Sequence, residues 1–258
     1  MLAVRNVVKS FGADAGRYTA LSGIDLEVSD GEFLCLLGPS GCGKSTLLNI
    51  LAGFEEATSG AVQFDGAPIR GAGKERVMFF QDAGAALLPW LSAEENVRFA
   101  LRVRKVPKSE WPAIIDKYLA MVDLAEHRQK FPAQLSGGMR QRLQIARALA
   151  AEPKVLLMDE PFGALDALTR DQMNIELQKM WLAEHKTVLF VTHSIAEAIF
   201  LSDRVVVLTP RPGRIAELIK VELPRPRRLA VRASERFNRY ASDIRMLFEG
   251  MGLLKEQA

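Results

Sequence analysis

Apolar residues along the chain fall into short unbroken runs that alternate with longer stretches of helical period. The strand-like runs are Leu2–Val8, Ile24–Val28, Phe33–Leu37, Ala61–Phe64, Val77–Phe80, Val155–Met158, Val188–Thr192 and Val205–Leu208. Several are continuous Val/Leu/Ile/Phe/Met runs without alternation, as parallel strands buried on both faces should be. Strands interleaved with helical periods predict an α/β fold. Val188–Thr192 and Val205–Leu208 flank a short helical stretch, as in a βαβ unit. From about Ala93 to Ala150 the period is helical and nearly free of strand signals, punctuated by Pro107, Pro112 and Pro132. That stretch reads as a helical insertion. After Leu223 comes Pro-Arg-Pro-Arg-Arg, a stiff basic connector. Phe237, Tyr240, Ile244, Leu247, Phe248 and Met251 then share one helical face, which predicts packing on the protein's own body.

Composition narrows the classes. The 258 residues are 48% hydrophobic and 25% charged, the balance of an ordinary globular protein. A chain of this length can bury a core without disulfide staples. The longest stretches free of Asp, Glu, Lys and Arg are Phe33–Gly43 and Ala83–Ala93, well short of the roughly 18 residues of a membrane span. The first residues carry no secretory leader pattern. Cys35 and Cys42 make neither a disulfide framework nor a zinc site, which predicts a reducing, cytoplasmic setting. Net charge is +3, with seven basic and two acidic residues between Arg211 and Arg232. This basic segment reads as a solvated surface, too weak for a nucleic-acid footprint.

The first chemical signal is Gly38-Pro39-Ser40-Gly41-Cys42-Gly43-Lys44-Ser45-Thr46 directly after the run Phe33–Leu37. It fits G-x-x-x-x-G-K-[ST] between a buried strand and a helix beginning around Leu47. Its glycines let backbone N–H groups wrap a phosphate, and the helix N-terminus adds its dipole. Lys44 brings a point charge to the β- and γ-phosphates, and Ser45 offers a hydroxyl to Mg²⁺. Cys42 sits inside this loop, so alkylating it is expected to block activity, with ATP protecting.

The second signal is Val155–Met158 ending in Asp159 and Glu160. Asp159 suits a magnesium coordination sphere beside Ser45. Glu160, one residue on, can orient or deprotonate an attacking water. Together the two motifs indicate a P-loop NTPase without saying which kind. The discriminating segment is Leu135-Ser136-Gly137-Gly138-Met139-Arg140-Gln141-Arg142. It opens a helix with Ser136 at the cap and two glycines in the first turn, a second helix tip open to an anion.

That segment resembles the signature motif of ABC-type ATPases, and the rest of the chain is similar from end to end. The resemblance implies a P-loop NTPase of ABC type: a mixed-sheet core, an N-terminal antiparallel β part and an inserted helical subdomain. It implies one nucleotide-binding domain over 1–258, with the α/β core at 1–87 and 151–222, the helical subdomain at 88–150, and a connector and terminal helix at 223–258. It implies two ATP molecules sandwiched in a head-to-tail dimer. Each would be held by the loop 38–46 of one copy and by Ser136, Gly137, Gly138 and Gln141 of the other. Further positions carry over singly. Phe11 matches the aromatic that stacks on adenine, with Tyr18 as the alternative. Gln81 matches the glutamine that touches Mg²⁺ and water. Asp166, in Gly163-Ala164-Leu165-Asp166, matches the acidic member of the dimer-crossing loop. His193 matches the γ-phosphate switch histidine, whereas His127 and His185 read as surface residues.

Between the motifs, Leu87–Trp90, Leu156–Arg170, Val191–Leu208 and Arg211–Ile215 look like the nitrate/sulfonate/taurine-type importer ATPases. Such subunits energise a separate membrane permease, fed by a solute-binding protein, from the cytoplasmic face of the membrane. The implied cofactors are ATP and Mg²⁺. The stretch Asp82–Ala86, between Gln81 and Trp90, is longer than usual for that group. It falls where such ATPases grip the permease. Two rival readings are a DNA-maintenance ATPase of the same superfamily and a free-standing P-loop phosphotransferase. The first lacks its long coiled-coil insertion here, and the second leaves Leu135–Gly138 without a role.

Overall fold

The computed structural model describes residues 1–12, 16–80 and 86–253. In chain order the strands are β1 (Leu2–Phe11), β2 (Tyr18–Val28), β3 (Phe33–Leu37), β4 (Ser59–Phe64), β5 (Ala67–Pro68), β6 (Arg76–Phe79), β7 (Val155–Asp159), β8 (Thr187–Thr192), β9 (Arg204–Leu208) and β10 (Ile215–Lys220). The α-helices are α1 (Lys44–Ala52), α2 (Ala93–Arg104), α3 (Trp111–Met121), α4 (Gly137–Ala150), α5 (Ala167–Glu184), α6 (Ile195–Leu201) and α7 (Glu235–Gly250). The chain divides into two compact units, one of residues 1–72 with 185–258 and one of residues 73–184. Among the described residues no helix is long and apolar enough to cross a membrane.

The first unit holds an antiparallel sheet in the order β2-β1-β4-β5. Leu2 and Val4 of β1 pair with Val28 and Leu26 on one side and with Phe64 and Val62 on the other. Along β2, buried Ile24, Leu26 and Val28 alternate with exposed Asp25 and Glu27, because one face of the sheet meets the core and the other meets solvent. The same unit carries the strand order β10-β9-β3-β8. There β3 lies between parallel neighbours β8 and β9, and every residue of β3 and β8 is buried. Their uninterrupted apolar character is the consequence. Parallel strands need a crossover, and α6 supplies it from β8 to β9 on the other side of β3.

The second unit pairs β6 with β7 in parallel, Val77 opposite Leu156 and Phe79 opposite Met158. Helices α2, α3 and α4 pack on one another. The start of α2 is fixed by a capping box between Ser92 and Glu95, and buried Asn96 ties the preceding turn by accepting from Leu88 N–H and donating to Leu88 and Leu91 carbonyls. The helical segment expected at 88–150 lies within this unit.

Two expectations need correction. Strand β10 carries too many exposed positions to stand out as an apolar run, and it forms by antiparallel pairing with β9. The basic run after Leu223 is not simply a solvated surface. Arg227 is 3% exposed, and its guanidinium donates to the carbonyls of Ile199 (2.7 Å), Phe200 (3.1 Å) and Ser202 (2.8 Å) at the C-terminal end of α6. Arg225 reaches the Leu201 carbonyl and Asp203 alongside it. The last carbonyls of a helix have no intrahelical partner, and two cations here fill that need. Burial, helped by neighbouring Arg225, pushes the Arg227 guanidinium down to about 10. Helix α7 follows, burying Phe237, Ala241 and Ile244 and packing on α6 as its stripe predicts. Arg227→Met should cost about 3 kcal/mol of stability, because several buried carbonyls lose their donor together. Urea unfolding checks this, and a loss below about 1 kcal/mol would contradict it.

Candidate functional site

In the first unit β3 ends at Leu37, and the chain loops through Gly38–Gly43 into α1. Gly43 is the N-cap residue of α1, at φ 97° in the left-handed region that L side chains avoid. It gives the first turn no side-chain cap, so that turn's N–H groups depend on an outside acceptor. Lys44 folds back over the loop. Its Nζ donates to the carbonyls of Gly38 (2.8 Å) and Pro39 (2.9 Å), and the residue is 5% exposed. Bonds from an ammonium to a charged oxygen are stronger than those to a neutral carbonyl, so a phosphate oxygen can displace the Gly38 and Pro39 carbonyls. Ser45, one residue on, is exposed.

Cys42 is 1% exposed. The loop thiol is therefore shielded from bulk reagents, which corrects the expectation of ready alkylation. Burial drives the Cys35 thiol well above its ordinary pKa, so it is inert as well.

At the far ends of β1 and β2, Phe11 pairs with Tyr18, and the two rings lie 5.6 Å apart. Lys9 Nζ stands 4.8 Å from the centroid of Phe11, and the guanidinium of Arg211 4.8 Å from that of Tyr18. The two candidates for base stacking thus form one aromatic platform.

His193 is exposed at the end of β8. The loop that bears it is set from behind. Buried Thr192 donates to Glu197 Oε2 at 2.5 Å and accepts from the Ser194 N–H at 3.0 Å. Ser194 caps α6 by accepting from the Glu197 N–H. Glu197 escapes notice in the sequence, where it is one more carboxylate on a short helix. His185 is exposed and His127 half-buried.

In the second unit Asp159 closes β7, and Glu160 follows with φ 41°. A left-handed glutamate is uncommon and costs backbone energy. The turn is tied by Gly163 N–H to the Glu160 carbonyl at 3.1 Å. Asp166 caps α5: its Oδ1 accepts from Thr169 N–H at 3.0 Å, and Thr169 holds its carboxyl below the usual carboxylate range.

Helix α4 begins as the sequence predicts. Ser136 is its N-cap, with Oγ accepting from Met139 N–H at 3.3 Å. Ser136 and Gly137 are exposed and Gly138 half-buried, so the tip is open to solvent. A Cβ on Gly138 would lie 3.1 Å from Thr169 Cγ2, which favours glycine there. Gln141, which the resemblance places with this tip, is 3% exposed.

Gln81 lies outside the described residues, but both flanks of that stretch are tied to α4. Gln144 donates to the Phe80 carbonyl at 3.3 Å, and Arg147 donates to the Ala86 carbonyl at 2.6 Å. Among the described residues, no three His, Cys, Asp or Glu side chains converge on a metal-sized site. Ser45 in the first unit and Asp159 in the second each carry an oxygen donor of the kind Mg²⁺ takes, alongside substrate phosphates.

Residues 21–163 match the family model described as ABC transporter. The chain is 52% identical over 201 residues to a taurine import ATP-binding protein of Chromobacterium violaceum, covering 78% of this chain and 76% of that one. It is 46% identical over 224 residues to a nitrate import ATP-binding protein of Synechococcus elongatus, covering 86% and 81%. A dimeric ATP-binding cassette solved after hydrolysis, with ADP and phosphate bound, aligns with a TM-score of 0.75 at 32% identity, covering 87% of this chain and all of that one. The chain belongs to the ATP-binding proteins of ABC transporters.

Proposed function

We propose that this chain is the ATP-hydrolysing subunit of an ABC importer. It works as a pair and drives uptake of a small solute through a separate membrane permease. The observation that carries the reading is that one chain offers two anion-ready helix tips, at Gly43–Lys44 and at Ser136–Gly138, with a lysine at only one. A nucleotide gripped by both tips needs two copies arranged head to tail. The dimeric form of the solved cassette supports this arrangement. The names of the relatives support import, and the solute in this reading is nitrate, a sulfonate, taurine or a similar small solute.

In this reading the α/β core spans 1–87 and 151–222, the helical subdomain 88–150, and the connector and terminal helix 223–258. Phe11 and Tyr18 receive the base. Lys44 exchanges the Gly38 and Pro39 carbonyls for phosphate oxygens, and the N–H groups of loop 38–46 wrap the β-phosphate. Ser45, Asp159 and Gln81 hold Mg²⁺, which when bound neutralises charge on the phosphates. Glu160 holds the attacking water and takes its proton, while His193 hydrogen-bonds the γ-phosphate. Ser136 and Gly138 of a second copy close the other side, and Asp166 of each copy faces the other. The ties from Gln144 and Arg147 to both flanks of 81–85 let α4 carry closure to the segment that meets the permease. Docked there, the subunit is membrane-associated on the cytoplasmic face, and a solute-binding protein acts on the far side through the permease.

A monomer holds half a site, so ATP turnover per chain should rise with protein concentration until the pair saturates. Phosphate release measured from nanomolar to micromolar chain checks this. A turnover per chain that is constant over the whole range would remove the paired site.

A further inference from the structure

The turn between β9 and β10 is built onto the phosphate loop. Gly213 N–H donates to the Ala20 carbonyl at 2.9 Å, and the Gly213 carbonyl accepts from Ser22 N–H at 3.0 Å. A Cβ on Gly213 would lie 2.0 Å from the Cys42 carbonyl oxygen, so only glycine lets the turn approach so closely. Thr209 braces the turn from inside, donating to the Pro212 carbonyl and accepting from Arg214 N–H, both at 3.0 Å.

From this fixed base the Arg211 side chain spans two parts of the site. Its guanidinium lies 4.8 Å from the Tyr18 ring centroid, and its Nε points to the Gly41 carbonyl at 3.4 Å. Arg211 is exposed, and its guanidinium lies between an aromatic face and a backbone carbonyl. A solvated arginine usually keeps its long side chain mobile, at a considerable entropy advantage. Here it is laid between the aromatic platform that faces a base and the loop that faces phosphates. In a nucleotide those two parts are joined by the ribose and the α-phosphate.

We propose that Arg211 is a further nucleotide-binding residue, one that contacts the ribose of a nucleoside phosphate. The proposal rests on the nucleotide site described above. A guanidinium suits this place, since its fork can donate to a ribose hydroxyl while its face stays on Tyr18. Such a contact is made equally with ATP and ADP. It strengthens binding without acting on the γ-phosphate, so it affects KM and leaves kcat alone.

The test compares wild type, Arg211→Ala and Arg211→Lys in the full chain, by isothermal titration with ATP, ADP and inorganic tripolyphosphate. Arg211→Ala should weaken ATP and ADP about tenfold, the loss of one hydrogen bond to a charged group, while tripolyphosphate changes less than about twofold. Arg211→Lys should fall between, since it keeps the charge and loses the fork. Steady-state turnover should show a raised KM at constant kcat. Unchanged ATP affinity in Arg211→Ala would overturn the proposal. So would an equal loss of tripolyphosphate, because Arg211 would then merely shape the phosphate loop. Failure of the wild-type protein to bind ATP at all would instead overturn the site on which the proposal rests, and the proposal with it. The residue is exposed on a turn braced by Thr209 and Gly213, so the variants should melt with the wild type.

Discussion

Glu160→Gln should bind ATP as tightly as the wild-type chain, hydrolyse it at least about a hundredfold more slowly, and accumulate as an ATP-bound dimer. Glutamine keeps the shape of the side chain and removes its ability to take a proton. The backbone at Glu160 sits at φ 41°, directly after Asp159, the last residue of β7. If closure of the pair precedes hydrolysis and reopening follows it, blocking the chemical step traps the closed form. Phosphate release gives the rate, and light scattering after size exclusion gives the mass with and without Mg-ATP. Undiminished turnover would take the base role from Glu160. A variant that stays monomeric while saturated with Mg-ATP, even beside its permease, would take away the sandwich itself.

Legibility in the sequence followed the range of the interactions involved. Phe33–Leu37 was readable residue for residue, because a strand buried on both faces must be apolar throughout. Ser136 was readable as a cap, because the signal for a helix start is local: a hydroxyl residue bonding three positions ahead. Long-range features were not readable. The strand expected from Ile24 begins at Tyr18, since pairing with β1 holds residues whose own pattern is mixed. Arg227 looked like one of seven surface cations, and its burial depends on carbonyls about 25 residues away. Glu197 and Arg211 gain meaning from Thr192, Tyr18 and Gly41, through contacts that no spacing rule announces. The candidate site was visible where chemistry and local geometry coincide in one motif. It was hidden where a side chain acts on a distant partner.

Lys44→Ala should fail one step earlier than Glu160→Gln, at nucleotide binding. In the structure Nζ bonds the Gly38 and Pro39 carbonyls, and with a triphosphate present those bonds give way to bonds with charged oxygens. Each hydrogen bond to a charged group contributes about 1.5–3 kcal/mol, so losing two should weaken ATP at least about a hundredfold. The fold should survive. Lys44 is the first residue of α1, alanine is the best helix former, and the glycine loop keeps its shape through backbone geometry. Titration of ATP into the variant, beside a thermal melt, separates lost binding from lost structure; unchanged affinity would remove Lys44 from the site. The double variant gives the sharper test. If Lys44 acts in binding and Glu160 only after it, Lys44→Ala/Glu160→Gln should behave like Lys44→Ala alone, monomeric at ATP concentrations that trap the single Glu160→Gln variant as a dimer. A double variant that still dimerises with ATP would show that the Ser136–Gly138 tip of the second copy captures the nucleotide unaided, reversing the order of the two grips.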